Sequence, residues 1–244
     1  MEPQSKVRSC VPSVALVINF ASSDAKQTAA RIPLLGKFEM PTTWVIEEPR
    51  QSKMLADRML ARAGHELALT VEARSPQRLR SELANFQSAV QDASGQKLSV
   101  VVGDPQQLRS RTALLADLGI GAVVSGVQPS GPAKPPRLLP CGLWQFDPTM
   151  NIPQPRHRWS WLTARRPTLK NLLAAETSCN QKVLAFDLGR MNSRELHGCE
   201  RLLQEIAEAA GRRQLQVETV SKLAAELASR REVKPQRSIL RRAA

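Results

Sequence analysis

Runs of consecutive apolar residues alternate along this chain with segments in which apolar residues recur at helical spacing. The runs are rich in valine and isoleucine, which is typical of strands that are buried on both faces of a parallel sheet. The recurring spacing predicts helices that bury one face. Strands are predicted at 14–20, 42–46, 66–69, 98–102, 121–125 and 183–187. Helices are predicted between most of them, among them helices at 24–37 and 107–118.

The stretch 32–70 organises the rest of the chain. It contains the strand at 42–46, a helix at 50–63 that Gly64 ends, and the next strand. Two strands joined by a helix of that length form a right-handed β-α-β unit whose strands are parallel. About seven such strands predict an α/β fold, a distorted (β/α) barrel. An open, doubly wound sheet is the alternative, because a local pattern does not show closure.

Proline interrupts the alternation of strands and helices once. Eight of the seventeen prolines lie at 128–155, where they exclude a regular helix. We therefore expect a disordered segment at 1–11, one domain at 12–228 that carries a proline-rich and basic insertion at 128–166, and a basic tail at 229–244.

Two motifs in the organising stretch carry a family resemblance. Pro-Thr-Thr-Trp-Val at 41–45 and Ala-Gly-His-Glu-Leu-Ala-Leu at 63–69 are similar to the second and third strands of the polysaccharide deacetylases with a NodB homology domain, carbohydrate esterase family 4. The resemblance extends over roughly residues 12–228. It implies a distorted β/α barrel. It also implies removal of acetyl groups from polysaccharides with the help of a divalent metal such as zinc.

The same resemblance shows that the chain is a degenerate member of that family. The catalytic base falls on Asn19, which cannot accept a proton, and a carboxylate ligand of the metal falls on Phe20. The two histidine ligands fall on Thr70 and Arg74, and the catalytic acid falls on Phe186. Five altered positions cannot hold zinc, so we expect no metal, no cofactor and no deacetylase activity.

Two other groups of residues are candidate binding sites. Carboxylates that follow predicted strands would meet at one rim of a barrel and could bind Mg²⁺, Ca²⁺ or Mn²⁺, although solvated loop carboxylates are the favoured interpretation. They are Glu47, Glu72, Asp104, Asp147 and Asp187. The second group mixes cations with indoles that could stack on sugars or bases, although packing of the indoles on the barrel is favoured. It consists of Arg156, Arg158, Trp159 and Trp161.

The net charge of +13 is concentrated in two segments. Residues 151–170 contribute +5 and residues 229–244 contribute another +5, so the rest of the chain is close to neutral. This distribution indicates basic appendages on an ordinary domain, with weak binding of polyanions through 156–170 and 229–244. No apolar run is long enough to span a membrane, and four cysteines without metal-type spacing predict free thiols in a cytoplasmic protein.

Three functions are compatible with these features. The leading hypothesis is a catalytically inactive, deacetylase-like module that binds a glycan or another protein. The second is a hydrolase of acetylated carbohydrate that uses a rebuilt carboxylate site. The third is a polyanion-binding protein that acts through its basic loop and tail. The sequence does not choose among them, because fold is shared by the first two and function resides in the site.

Overall fold

The computed structural model describes residues 11–19, 37–47, 64–71, 75–126, 134–152, 169 and 181–232. Within these residues ten strands form one sheet. Their bounds are β1 (Ser13–Asn19), β2 (Thr43–Ile46), β3 (Glu66–Val71), β4 (Val100–Gly103), β5 (Ala122–Ser125), β6 (Arg137–Leu138), β7 (Trp144–Phe146), β8 (Met150–Ile152), β9 (Gln181–Asp187) and β10 (Gln216–Glu218).

Five α-helices lie in the same residues, and side chains cap the two longest. They are α1 (Pro76–Ser94), α2 (Pro105–Arg109), α3 (Thr112–Asp117), α4 (Ser193–Gly211) and α5 (Val220–Glu232). Ser75 begins α1 by accepting a hydrogen bond from the Arg78 amide. Asn192 and Glu195 begin α4 with a reciprocal capping box. The helices predicted at 24–37 and 50–63 lie outside the described residues.

The strand order confirms the predicted parallel sheet. It runs β6-β7-β5-β4-β3-β2-β1-β9-β8, and β10 pairs with β1 beside β2. Every pair is parallel except the short antiparallel pair of β6 and β7. In particular β2 and β3 are parallel neighbours, as the β-α-β interpretation requires.

The sheet curls toward closure because two consecutive strands, β7 and β8, belong to its opposite ends. β7 pairs with β5 and β8 pairs with β9, both in the parallel sense, so β7 and β8 point the same way. Three residues separate Phe146 from Met150, so the chain can span at most about 14 Å between them. The two ends of the sheet therefore lie close together, and the fold is the distorted barrel that the sequence predicts.

The two faces of the sheet bury two separate cores. The outer core packs strand residues such as Leu16 and Leu184 against α1 and α4. The inner core holds smaller residues, among them Ala15, Val17 and Ala68, together with Val220 and Leu223 of α5. Since α5 contacts both β1 and β5, it closes the interior of the barrel.

Strand residues fix the position of α5 at the amino-terminal end of the barrel. The hydroxyl of Thr43 accepts a hydrogen bond from the Val220 amide over 3.1 Å, and Glu66 Oε1 accepts one from the Ser221 amide over 3.2 Å. Thr43 also donates to Glu66 Oε1 over 2.6 Å. These acceptors satisfy amide groups that the first turn of a helix leaves unpaired. The carboxyl-terminal ends of the strands lie at the opposite end of the barrel.

The structure differs from the predicted elements in three places. The single helix expected at 107–118 is two helices, α2 and α3, with Ser110 and Arg111 between them. β8 was not predicted, and α5 continues to Glu232, so the first residues of the predicted tail are helical. No helix of the described residues is long and apolar enough to cross a membrane.

Candidate functional site

Three polar side chains lie on the interior side of the sheet at the carboxyl-terminal ends of their strands. Ala15 and Val17 belong to the inner core, so alternation along β1 places Asn19 on the same side. By the same argument Thr70 lies on the same side of β3 as the inner-core residue Ala68, and Asp187 lies on the same side of β9 as Val183. Active sites of β/α barrels form at this end.

Asn19 and Asp187 are direct neighbours across the pair of β1 and β9. Their backbones are therefore about 5 Å apart. Asn19 Oδ1 and Asp187 Oδ1 are both buried, and neither has a hydrogen-bond partner among the described residues. A buried polar atom without a partner costs free energy, about 1–3 kcal/mol. The two oxygens therefore form an acceptor pair that a bound molecule could satisfy.

Burial raises the pKa of the Asp187 carboxyl above its ordinary value, because the side chain is only 4% exposed. The Arg190 guanidinium, whose Nε lies 3.2 Å from Asp187 Oδ2, and the backbone amides of Gly189 and Arg190 lower this pKa and limit the increase. The negative charge of Glu47 raises it further. The protonated form of Asp187 is therefore favoured more than in an ordinary aspartate.

We expect Asp187→Asn to stabilise the fold more at neutral than at acid pH. The pKa of Asp187 is higher in the folded than in the unfolded chain, so its contribution to stability is fully present below the ordinary pKa of 3.8 and is lost as pH rises through the folded pKa. Urea unfolding of the wild type and the variant at pH 3.5 and pH 7.5 measures the difference. An identical difference at both values would contradict the prediction. The loss of the ion pair with Arg190 matters little, because that side chain is 68% exposed.

At the end of β9 the structure places Phe186 and Asp187 on opposite faces of the sheet. Phe186 packs in the outer core with Leu184 and is fully buried, so its side chain is not in the barrel interior. Asp187 occupies the interior position at the end of that strand. A shift of one residue along a strand exchanges its two faces, and a motif match alone does not detect it.

The predicted rim carboxylates that the structure describes do not form one cluster. Asp104 caps α2 by accepting a hydrogen bond from the Gln106 amide over 2.9 Å. Asp147 accepts hydrogen bonds from Ser125 and Gln145, whose positions alternate with inner-core residues and so face the outer side of the sheet. Glu47, exposed after β2, is the described rim carboxylate whose charge acts on Asp187.

Several predicted site residues lie outside the described part of the chain. They are Phe20, Glu72, Arg74, Arg156, Arg158, Trp159 and Trp161. Their predicted roles therefore stay predictions.

The described residues at this end do not fit a zinc ion. The chain has three histidines. His65 precedes β3 at the opposite end, where burial lowers its pKa and its ring meets Trp44 edge-on, with ring centroids 6.2 Å apart. His197 lies on the outer helix α4. At most one histidine remains for a site that needs two, and the described residues contain no group of three histidine, cysteine or acidic side chains that could hold a metal.

Cys199 is a reactive side chain that the structure places in the outer core. Its place on the apolar face of a helix predicts this packing, and burial raises its pKa to about 12. It is therefore a packing residue and not a nucleophile.

Arg190, which forms an ion pair with Asp187 Oδ2, was not predicted. Its signal in the sequence is the spacing of three residues from Asp187 across a short turn.

Comparison with known proteins gives structural matches alone. Neither a family model nor a curated protein matches the sequence. A solved structure from Mycobacterium smegmatis, assigned to the polysaccharide deacetylases, aligns with a TM-score of 0.61 and 14% identity over 91% of this chain and 93% of its own. The chain has the fold of the polysaccharide deacetylases. Identity this low shows the deacetylase fold and leaves the activity to be argued from the site.

Two further structures with the deacetylase fold bear on the site. The peptidoglycan deacetylase PdaC from Bacillus subtilis aligns at 14% identity with a TM-score of 0.52, over 91% of this chain and 94% of its own. A mutant of a family 4 pseudoenzyme with restored enzymatic activity aligns at 14% identity with a TM-score of 0.51, over 87% of this chain and 67% of its own. The fold therefore occurs both in an enzyme and in a protein whose natural form is a pseudoenzyme.

Proposed function

We propose that this protein is a non-catalytic, deacetylase-like module that binds an acetylated glycan at the carboxyl-terminal end of its barrel. The observation that carries the proposal is the acceptor pair, Asn19 Oδ1 and Asp187 Oδ1, buried side by side without a partner among the described residues. The hydroxyl groups and the acetamido N–H of an acetylated sugar are neutral donors that would satisfy both oxygens.

The chemistry of the same residues argues against catalysis. Asn19 cannot act as a base, and Thr70 cannot act as an imidazole ligand. Asp187 has one oxygen bound to Arg190, and its raised pKa favours the protonated acid, which is a hydrogen-bond donor as well as an acceptor. A hydrolase with a rebuilt carboxylate site would need a second carboxylate beside Asp187, and Glu47 is the described carboxylate whose negative charge raises the pKa of Asp187.

The proposal predicts that Asn19→Ala and Asp187→Leu weaken glycan binding about three- to tenfold, because each removes one net hydrogen bond. Chito-oligosaccharide titrations followed by NMR measure the affinity, and the fully deacetylated oligosaccharide tests the role of the acetyl group. Asp147→Asn is the matched control, since this aspartate lies on the outer side of the sheet. No acetate should be released, with or without added zinc.

Three outcomes would contradict the proposal. Equal affinity for acetylated and deacetylated oligosaccharides would remove the acetyl group from recognition. Unchanged binding by both site variants would place the glycan elsewhere. Release of acetate that Asp187→Leu abolishes would instead support the hydrolase.

A second candidate function rests on the distribution of charge. Ten of the thirteen net positive charges lie in the segments 151–170 and 229–244. Cations concentrated in this way in the sequence favour binding of a polyanion through charge alone. Such binding does not need the barrel interior, so it is compatible with the glycan-binding module.

A further inference from the structure

A cavity lies at the amino-terminal end of the barrel, opposite the acceptor pair. Its volume is about 540 Å³, and it is bounded by the segment before β2, by β10 and by the last turns of α4. Pockets for small organic ligands have volumes of this size. This cavity is independent of the glycan-binding proposal, because none of its residues belongs to that site.

The walls of the cavity are mainly apolar. They include Phe38, Met40, Ala207, Ala210, Leu215 and Val217. Val11 stands at the same cavity and is 43% exposed, one of two large hydrophobic residues that are exposed in the described part of the chain. An apolar ligand would therefore bury surface that the fold leaves in water.

Two side chains of opposite charge also line the cavity, Glu39 and Arg213. Neither forms an ion pair among the described residues, so both charges are available to a ligand. Both backbones are in the left-handed region, with φ of 46° at Glu39 and 58° at Arg213. Glycine adopts this conformation without strain. Three described residues other than glycine have a positive φ, and two of them are the charged residues that line this cavity. Residues with a strained backbone of this kind cluster at ligand sites.

The third feature of the cavity is a free strand edge. Within the described residues β10 pairs with β1 alone, and the Gln216 amide donates to the Pro12 carbonyl over 2.9 Å. Backbone groups of a strand alternate between its two edges, so those of Val217 point away from β1. Val217 also lines the cavity. A second extended chain could therefore pair with this edge, which is a common mode of peptide recognition.

We infer that this cavity binds a short apolar peptide of two or three residues in an extended conformation. The peptide backbone pairs with Val217, and its apolar side chains fill the cavity. Its free ammonium group faces Glu39 and its free carboxylate faces Arg213. Two charges of opposite sign that are unpaired among the described residues and line one mainly apolar cavity match the two ends of such a peptide.

The test is an NMR titration of the full-length protein with the tripeptide Leu-Val-Leu. The protein's resonances at Met40, Ala210 and Val217 should shift. The same peptide with an acetylated amino end and an amidated carboxyl end should bind at least tenfold more weakly. Absence of binding at millimolar peptide, equal affinity for the blocked peptide, or shifts confined to Asn19 and Asp187 would each overturn the inference.

Glycine variants separate binding from folding. Glu39→Gly and Arg213→Gly relieve the strained backbone, so each should raise the melting temperature while weakening tripeptide binding at least tenfold. Cys141→Gly is the matched control, because Cys141 has the remaining positive φ, 64°, and does not line the cavity. It should raise the melting temperature and leave affinity unchanged. Higher stability with unchanged affinity in the first two variants would mean that their side chains bind nothing, and would overturn the inference.

Discussion

Phe186→Ala is expected to lower the free energy of unfolding by about 3–5 kcal/mol, the range for deleting a buried aromatic side chain. Phe186 is fully buried in the outer core, between the sheet and the helices that cover it. Removing the ring leaves a cavity that neighbouring side chains on rigid strands cannot fill. Urea unfolding monitored by tryptophan fluorescence and circular dichroism measures the loss.

Two further variants distinguish a core residue from a site residue at this strand end. Phe186→Leu keeps most of the apolar volume and should cost less than about 1.5 kcal/mol. Asp187→Ala, one position along, should leave stability nearly unchanged at neutral pH and weaken glycan binding instead. Intact stability in Phe186→Ala, together with lost binding, would return Phe186 to the interior position that the family resemblance assigns to it.

Binding to duplex DNA or heparin should fall about a thousandfold between 50 and 200 mM salt, because each cation that meets a phosphate releases a counterion. Residues 233–244 carry four cations, Lys234, Arg237, Arg241 and Arg242. A variant that ends at Glu232 keeps the whole of α5 and should lose at least tenfold in affinity at 50 mM salt. The cations of the segment 151–170 should retain the remainder.

Two controls separate charge from chain length and from the domain surface. Glutamine at the four tail positions should reproduce the truncation. Glutamine at Arg78 and Arg80, exposed cations of α1 that pair with Glu82 and Asp117, should change affinity little. Equal retention of the wild type and the truncated chain on heparin across the salt series would make the tail irrelevant to polyanion binding.

Much of the fold follows from local pattern. β1, β2, β4 and β9 are continuous apolar runs, and their parallel order follows from the helices predicted between them. Closure does not follow, because it depends on β8, three residues that pair with β9 from a proline-rich stretch. The break between α2 and α3 is also hidden, since Leu108 and Leu115 keep helical spacing across it.

The candidate site was predicted less completely than the fold. Asn19 and Thr70 lie on the interior side of the sheet, because they alternate with inner-core residues along β1 and β3. At β9 both faces are buried, so hydrophobicity does not reveal which residue points inward, and the motif match chose Phe186 instead of Asp187. The cavity at the amino-terminal end of the barrel is lined by residues far apart in sequence, such as Glu39 and Arg213. No local sequence pattern predicts that they lie together.

The pairing of β1 has a consequence for synthesis on the ribosome. β1 pairs with β9 along one edge. Along its other edge, the amino-terminal half of β1 pairs with β10 and the carboxyl-terminal half pairs with β2. Both β9 and β10 lie in the last third of the chain. At 5–20 residues per second, β1 waits on the order of ten seconds before these partners emerge. An apolar strand with an open edge is therefore exposed on the nascent chain until these partners emerge, and the chain should depend on chaperones during that time.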